Sequence, residues 1–283
     1  MKIITQTKIN YEEFLKKDFF QELSMEKKEN LISIINSVQC YEIWYNSDGR
    51  KIKGYIVTPK DSTKKLPVLI YARGGSKNFG IINDRVITFP LSRIASWGFI
   101  VITTQYSGND GSEGKDELSG MDLKDLINLK EVIKEIPNAD INNINIYGAS
   151  RGGLMALNLL KSQDWIKKAI IINPELDLED SYEKRPELKE FRKDMYDVES
   201  KSENLKRSPF YNFSKINKNT KILLIQGGLD INVNPLKTIA FYHSLINNDF
   251  KNIEFHYFPY VDHHLNGISK RLQDLIIKEF LEK

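Results

Sequence analysis

Short apolar segments alternate along the chain with longer segments in which apolar residues recur every three or four positions. The short segments are rich in β-branched residues and show little polar alternation, which is typical of strands covered on both faces. They comprise residues 68–72, 99–106, 144–148, 169–173, 222–227 and 253–258. The longer segments, with helical periodicity, comprise residues 87–97, 121–136, 152–160, 235–246 and 268–281. This alternation predicts an α/β fold with a mostly parallel central sheet and helices on both faces.

The amino-terminal part of the chain follows a different pattern. Residues 11–38 show helical periodicity, so residues 1–40 are predicted to form a short helical extension. Two runs of alternating residues then flank Ser47, Asp48 and Gly49, and an Asp-Gly pair between such runs is the signature of a β-hairpin. We therefore expect an antiparallel hairpin to lead into the parallel sheet.

Residues 174–215 interrupt the alternation of strands and helices. A solvated surface excursion would explain the high charge of this segment. A cap over an active site would explain its length, because long insertions in compact domains are often lids or binding loops. The cap is favoured by six aromatic residues among the charges: Tyr182, Phe191, Tyr196, Phe210, Tyr211 and Phe213. We expect one domain over residues 1–283, with residues 174–215 as a cap-like, partly helical insertion.

Composition restricts the class of protein. The 283 residues carry 41 basic and 38 acidic side chains, mixed along the chain, for a formal net charge of +3. Without a dense basic tract, binding to nucleic acid or to an anionic membrane is not expected. The single cysteine, Cys40, excludes an intrachain disulfide and leaves no partner for a thiolate zinc site. Neither a signal peptide nor a membrane-spanning run is visible, so a cytoplasmic location is expected, and no metal or cofactor is predicted.

A serine lies between a predicted strand and a predicted helix, in the sequence Gly-Ala-Ser-Arg-Gly at residues 148–152. The pattern Gly-x-Ser-x-Gly is that of a nucleophile elbow, in which the serine has strained backbone angles at the apex of a tight turn. Strand and helix then cross so closely that the flanking residues must be small, and Gly148 and Gly152 meet this need. With a hairpin and three parallel strands before it, Ser150 stands where an α/β-hydrolase carries its nucleophile.

A serine nucleophile needs a histidine as general base and a carboxylate to orient that histidine. His243 falls in a predicted helix and His256 in a predicted strand, so each is interpreted as a packing or surface residue. His263 and His264 occupy the loop between the last strand and the last helix, where this fold places its base. Only one of the two can serve.

The acid and the oxyanion hole have candidates of their own. Asp230 follows the penultimate strand and a glycine pair, which is the context of an orienting acid. Asp262 is the competitor, but as a close neighbour of the histidines in sequence it points poorly toward their Nδ1 atoms. An oxyanion hole needs backbone N–H groups aimed at the developing negative charge. Arg151 should supply one, and Gly75, with Gly74 close behind, should supply the other.

From about residue 41 to its end, the chain resembles the catalytic domain of the prolyl oligopeptidase family of serine peptidases. The likeness rests on the segments YARGGSKNFG, TQYSGNDGSEGKDELSG, DINNINIYGASRGGLMA, LLIQGGLDINVNP and FPYVDHHLNG. It implies that Ser150 is the nucleophile, Asp230 the acid and His263 the base, because the family's histidine precedes x-Leu or x-Phe. It also implies that the amides of Gly75 and Arg151 form the oxyanion hole.

Two departures from the family pattern bear on the substrate. Where the family usually has His-Gly-Gly, this chain has Arg73, Gly74 and Gly75, which places a permanent cation near the oxyanion loop and can bias substrate charge. Many family peptidases also carry an amino-terminal propeller that screens substrates and grips the amino terminus of the peptide. The short stretch before the hairpin, residues 1–40, is expected to be too small to form one.

Three functions are compatible with these residues. The first is a serine peptidase that acts on short peptides or acyl amides through an acyl-enzyme on Ser150. The second is a carboxylesterase or deacylase with the same residues, since an ester has the better leaving group. The third is a binding protein that has kept the fold without catalysis, and the filled catalytic positions argue against it. A serine hydrolase with a small peptide or ester as its substrate is therefore predicted.

Overall fold

A computed structural model describes residues 2–283, and the nine strands in that range form one sheet. In chain order they are β1 (Ile3–Ile9), β2 (Val38–Ser47), β3 (Arg50–Pro59), β4 (Leu66–Ala72), β5 (Ile100–Thr104), β6 (Ala139–Ala149), β7 (Ile166–Ile172), β8 (Lys221–Gly227) and β9 (Ile253–Phe258). Across the sheet the order is β1-β2-β3-β5-β4-β6-β7-β8-β9. The first three pairs are antiparallel and the other five are parallel. The predicted mostly parallel sheet, entered through an antiparallel hairpin, is confirmed.

Helices connect the strands. In chain order they are α1 (Asp18–Gln21), α2 (Met25–Ser37), α3 (Asp84–Val86), α4 (Ser92–Ser96), α5 (Leu123–Ile133), α6 (Arg151–Leu160), α7 (Leu178–Lys184), α8 (Pro186–Arg192), α9 (Lys201–Arg207), α10 (Pro209–Asn212), α11 (Pro235–Asn247) and α12 (Lys270–Glu282). A π-helical turn (Ile87–Leu91) joins α3 to α4, and 3₁₀ turns cover Tyr11–Lys16 and Phe213–Lys215. Within residues 2–283, none of these helices has the length and apolar character needed to cross a bilayer.

The sheet is buried on both faces. Alternate residues of a strand face opposite sides of the sheet, because the side-chain period of a strand is two. On β8, Ile222 and Leu224 join one apolar core, and Leu223 and Ile225 join the other. The first core is covered by α5, α6 and α11, and the second by α4 and α12. This is the arrangement of an α/β-hydrolase, and it explains why the parallel strands show no polar alternation.

The predicted helical extension over residues 1–40 is wrong at its beginning. β1 is an edge strand that pairs antiparallel with β2, and the helical part, residues 11–37, consists of a 3₁₀ turn and two short helices. In β1 only Ile3 and Ile9 are half-buried, and the five residues between them are exposed. An edge strand of this kind carries no apolar alternation, so its pairing with β2 decides its conformation.

The insertion at residues 174–215 folds into α7, α8, α9 and α10. Its aromatic residues differ in burial, and Phe210 and Phe213 are half-buried against the first core. Tyr182 and Tyr196 are buried and join the first core, whereas Phe191 and Tyr211 remain 42% and 47% exposed. The insertion therefore shares a core with the sheet and is not a detached surface excursion.

Candidate active site

Ser150 lies on the turn between β6 and α6, with φ 57° and ψ −125°. A non-glycine residue in such a region costs about 1–3 kcal/mol, and strain of this kind collects at functional sites. The turn is tight because strand and helix cross with no space for side chains. A Cβ atom on Gly152 would lie 2.0 Å from the Ala72 carbonyl oxygen, and one on Gly148 would lie 2.2 Å from the Gly152 carbonyl oxygen. The geometry of the crossing therefore requires both glycines.

Replacing Gly152 by alanine is expected to lower the free energy of unfolding by about 3 kcal/mol, because the new methyl group forces β4 or α6 to move. Urea denaturation measures this change. Gly49→Ala is the control: its Cβ would meet no atom within 4 Å, so only the positive φ of 86° costs energy, about 1 kcal/mol. Equal losses in the two variants would contradict the close crossing.

His263 and Asp230 are hydrogen-bonded to each other. The imidazole Nδ1 lies 2.7 Å from Asp230 Oδ2. The other carboxylate oxygen accepts the N–H groups of Asn232 at 2.8 Å and Val233 at 3.0 Å, which fix its orientation. The Asp230 side chain has no solvent exposure, and that of His263 is 11% exposed. With the Nδ1 proton donated to the carboxylate, Nε2 is left as the acceptor that a general base requires.

The alternatives Asp262 and His264 are placed differently. The Asp262 carboxylate accepts the backbone N–H groups of His264 and Asn266 and the side-chain amide of Asn266, each at 2.9 Å. Asp262 therefore stabilises its own loop. His264 is exposed and lines the same cavity as Ser150, but the bond to the buried carboxylate of Asp230 belongs to His263.

A cavity of about 550 Å³ opens beside Ser150. His263, Gly75 and Arg151 also line it. Most of its remaining wall is apolar and includes Tyr71, Phe79, Ile82, Val86, Leu188, Phe191 and Val233. Within residues 2–283 no hydrogen bond joins the Ser150 hydroxyl to the His263 ring, a contact that often forms only in the substrate complex. The same range contains no group of three or more His, Cys, Asp or Glu side chains arranged to hold a metal ion.

The two predicted oxyanion residues flank the serine on separate segments. Arg151 is the first residue of α6, and N–H groups in the first turn of a helix have no acceptor within the helix. The helix dipole adds partial positive charge at this end. Gly75 has a φ of 71°, and a Cβ atom there would lie 2.2 Å from the Phe79 carbonyl oxygen. The cavity beside Ser150 thus has a predicted oxyanion residue on each of two segments.

The Arg73 side chain shapes the loop that carries Gly75. It is 1% exposed. Its guanidinium donates hydrogen bonds of 3.0–3.2 Å to four main-chain carbonyl oxygens, those of Gly74, Lys77, Phe79 and Gln105. Burial and the nearby Arg151 lower the pKa of Arg73 to about 10, so the group is charged at neutral pH. This cation is engaged by the loop itself.

The Arg151 side chain belongs to a buried ionic network that the sequence does not predict. Its guanidinium lies 2.6 Å and 2.8 Å from the two Asp116 oxygens and 2.8 Å from Asp122 Oδ2, and it donates to the Gly75 carbonyl at 3.0 Å. Burial alone would raise the pKa of Asp116, but Arg151 holds it well below its ordinary value. Burial raises the pKa of Asp122 to about 6. In the sequence, the sign of this network is the group of acidic residues in the glycine-rich stretch, residues 107–122.

The insertion meets the cavity through a buried ion pair. Glu175 lies just after β7 and Arg192 ends α8, and their side chains form two hydrogen bonds of 2.8 Å and 3.0 Å. The two side chains are 5% and 7% exposed. Burial raises the pKa of Glu175, but Arg192 outweighs burial and lowers it below its ordinary value. The Glu175 N–H also donates to the Ser150 carbonyl at 3.2 Å, so the pair anchors the insertion beside the serine.

Replacing Arg192 by glutamine is expected to lower the free energy of unfolding by about 3–5 kcal/mol, because the Glu175 carboxylate stays buried without its cation. Leucine at both positions should recover most of this loss, since no charge then remains buried. Chemical denaturation measures both variants. Lys189→Gln is the control and should change stability little, because its partner Glu199 is 75% exposed. A loss in R192Q no larger than in K189Q would contradict the anchoring role.

Comparison with known protein sequences identifies relatives. A sequence model described as the prolyl oligopeptidase family matches residues 87–282. The uncharacterized peptidase YtmA of Bacillus subtilis is 31% identical over 212 residues, which cover 73% of this chain and 79% of YtmA. The probable dipeptidyl-aminopeptidase B of Arthroderma otae is 23% identical over 286 residues, which cover 93% of this chain and 30% of the relative.

Solved structures show the same fold. The acylaminoacyl peptidase of Pyrococcus horikoshii superposes with a TM-score of 0.74 at 21% identity, over 90% of this chain and 43% of the peptidase chain. Acetyl xylan esterase 1 of Thermoanaerobacterium superposes with a TM-score of 0.62 at 19% identity, over 88% of this chain and 84% of the esterase. The chain thus spans less than half of the dipeptidyl-aminopeptidase and of the acylaminoacyl peptidase. Because the family model covers more than half of the residues and YtmA aligns over most of its length, the chain belongs to the prolyl oligopeptidase family.

Proposed function

We propose that this chain is a serine hydrolase of the prolyl oligopeptidase type, which cleaves peptide or acyl-amide bonds through an acyl-enzyme on Ser150. The observation that carries this proposal is the 2.7 Å hydrogen bond between His263 Nδ1 and Asp230 Oδ2. It leaves Nε2 of the imidazole free to accept a proton. The imidazole lines the same cavity as Ser150, whose backbone is strained. A nucleophile, a base and an acid that orients the base are what acyl transfer needs.

In the proposed acylation step, Ser150 Oγ attacks the scissile carbonyl carbon while His263 Nε2 takes the hydroxyl proton. The π electrons of the carbonyl move onto its oxygen, and the N–H groups of Gly75 and Arg151 stabilise the negative charge. Collapse of this tetrahedral intermediate breaks the C–N bond. The imidazolium gives its proton to the leaving amine, and the acyl group remains on Ser150.

Deacylation repeats these steps with water as the nucleophile. His263 takes a proton from water as the oxygen attacks the acyl carbon, and the same proton returns to Ser150 Oγ when the ester bond breaks. The carboxylic acid product leaves and the serine is restored. Throughout, Asp230 keeps the imidazole in one tautomer and stabilises the imidazolium that forms twice in each cycle.

A carboxylesterase or deacylase is the second candidate. The same three residues would hydrolyse an ester, whose alcohol is a better leaving group than an amine and demands less of the protonation step. The acetyl xylan esterase supports this candidate, because the likeness extends over 84% of its chain. The family match and the relative named as a peptidase favour the amide-cleaving function.

A fluorophosphonate probe, which phosphonylates activated serines, tests the proposal. It should label the wild-type protein and not the Ser150→Ala variant. The 4-nitroanilide and the 4-nitrophenyl ester of N-acetylphenylalanine then separate the two candidates, since they share one acyl group. Hydrolysis of the ester but not of the anilide would refute the amide-cleaving function and support the carboxylesterase. Absence of labelling in folded wild-type protein would refute both candidates.

A further inference from the structure

The cavity beside Ser150 is lined by four arginine side chains and one carboxylate. Three of the arginines are buried, and their Nη atoms are hydrogen-bonded within the protein. Arg73 donates to main-chain carbonyls, Arg151 pairs with two aspartates, and Arg192 pairs with Glu175. None of these three has charge to offer a substrate without breaking a buried contact. The fourth, Arg185, is different.

Arg185 lies between α7 and α8, and its side chain is 30% exposed. Nη1 donates to the main-chain and side-chain oxygens of Asn232 at 3.3 Å and 3.2 Å, which fixes the guanidinium at the cavity wall that both residues line. Asn232 is two residues beyond Asp230, so this contact is close to the proposed triad. Nε donates to Glu187, whose side chain is 66% exposed. In residues 2–283, Nη2 of Arg185 has no hydrogen-bond partner, so the outer edge of the guanidinium is open.

A positively charged substrate group finds no free carboxylate among the described residues that line the cavity. Glu175 is the one carboxylate among the cavity-lining residues within 2–283, and both of its oxygens accept hydrogen bonds from Arg192. The Asp230 side chain has no solvent exposure. A free α-ammonium near the scissile bond would therefore lose hydration without gaining an ion pair, which is costly. A carboxylate, in contrast, can accept a charge-assisted hydrogen bond from the Nη2 group of Arg185.

We infer that Arg185 is a carboxylate-binding residue of the substrate site, and that the enzyme prefers substrates with a carboxylate near the scissile bond. We expect kcat/KM to be lower for neutral substrates and lowest for substrates with a free α-ammonium group near the scissile bond. This inference rests on the proposed function of Ser150. The apolar part of the cavity wall, which includes Ile82, Val86 and Val233, suits an apolar side chain on the residue that is cleaved.

Three phenylalanine 4-nitroanilides test the inference on the acyl side: N-succinyl (anionic), N-acetyl (neutral) and free amino (cationic). In the wild-type protein, kcat/KM for the succinyl substrate should exceed that for the acetyl substrate by about tenfold, as expected for a charge-assisted hydrogen bond at a partly exposed site. The free amine should be slowest. In Arg185→Gln the ratio of succinyl to acetyl should fall to about one, and in Arg185→Glu it should invert. Glu187→Gln is the matched control and should keep the preference.

The carboxylate can also belong to the leaving group. N-acetyl-Phe-Gly and its C-terminal amide test this source, since they differ only in the carboxylate. A preference for the free acid that disappears in R185Q would place the recognised carboxylate on the leaving-group side. Either pair of substrates with an Arg185-dependent preference supports the inference.

Two results overturn the inference, and one of them leaves the proposed function intact. If Ser150-dependent hydrolysis shows no carboxylate preference in either pair, or a preference that persists in R185Q, Arg185 does not bind the substrate carboxylate. The serine hydrolase then stands with another specificity. If none of these substrates undergoes Ser150-dependent hydrolysis and the fluorophosphonate does not label the protein, the proposed function fails and the inference fails with it.

Discussion

Alanine at position 150 is expected to lower kcat by about 10⁵- to 10⁶-fold, the size of loss seen when a triad serine is removed from other serine hydrolases. The reason is that the acyl group is transferred to the Ser150 hydroxyl, which lies on the strained turn in the cavity that His263 also lines. The residual rate would come from substrate binding and the oxyanion amides. Steady-state hydrolysis of N-acetylphenylalanine 4-nitroanilide measures kcat, and fluorophosphonate labelling reports the nucleophile directly.

Ser76 offers the matched control for this variant. It is 3% exposed, lines the same cavity, and its hydroxyl has no hydrogen-bond partner within residues 2–283. Ser76→Ala should therefore keep kcat within about threefold of the wild-type value, because removing an unpaired hydroxyl leaves no partner unsatisfied. A S150A protein that retains more than about one hundredth of wild-type kcat would show that another group is the nucleophile.

Replacing His263 by alanine is expected to cost nearly as much, about 10⁵- to 10⁶-fold in kcat, because serine and base act as one unit. Without the imidazole, the proton of Ser150 has no acceptor and the leaving amine has no donor. The buried carboxylate of Asp230 would also lose its partner. Both kcat and the rate of fluorophosphonate labelling should fall, since each depends on activation of the serine hydroxyl.

His264→Ala is the matched control, because it removes the same side chain from the neighbouring position in the same cavity. Its imidazole is exposed, and the bond to Asp230 belongs to His263, so kcat should stay within about threefold of wild type. The opposite order of effects in the two variants would transfer the role of base to His264. Thermal unfolding of both proteins shows whether a loss of activity reflects a loss of fold.

Much of the fold, and the contact between Asp230 and His263, could be predicted because a parallel sheet constrains sequence strongly. Strands buried on both faces need continuous apolar runs, and the polar residues directly after such strands gather at one edge of the sheet. Asp230 follows β8 and His263 follows β9, and these two strands are neighbours. Their contact is therefore a consequence of the strand order. The elbow at Ser150 could be predicted because its sequence pattern is contiguous, at residues 148–152, although the contact that requires Gly152 is with the distant Ala72 carbonyl.

Features that depend on partners far away in the chain could not be predicted. β1 is exposed over most of its length and carries no apolar alternation, so its β-branched residues alone do not predict a strand there. The position after the serine predicts a useful amide, but not that the Arg151 guanidinium pairs with carboxylates about 30 positions earlier. The length of the insertion suggested a cap, yet the sequence offers no reason to place Arg185 in the cavity. The partners of such ion pairs are not spaced at a helical or strand repeat, so the sequence pattern does not reveal them.

The bond from Arg73 to the Gly74 carbonyl sets the direction of the next amide. In a planar trans peptide the carbonyl oxygen and the following N–H point in opposite directions, so the guanidinium that donates to the Gly74 oxygen turns the Gly75 N–H away from itself. The dipole of this peptide is thus preorganised before a substrate arrives, and no reorientation is needed as negative charge develops. Since the pKa of Arg73 is about 10, this orientation does not titrate near neutral pH. A histidine at position 73 would lose or gain its charge in that very range.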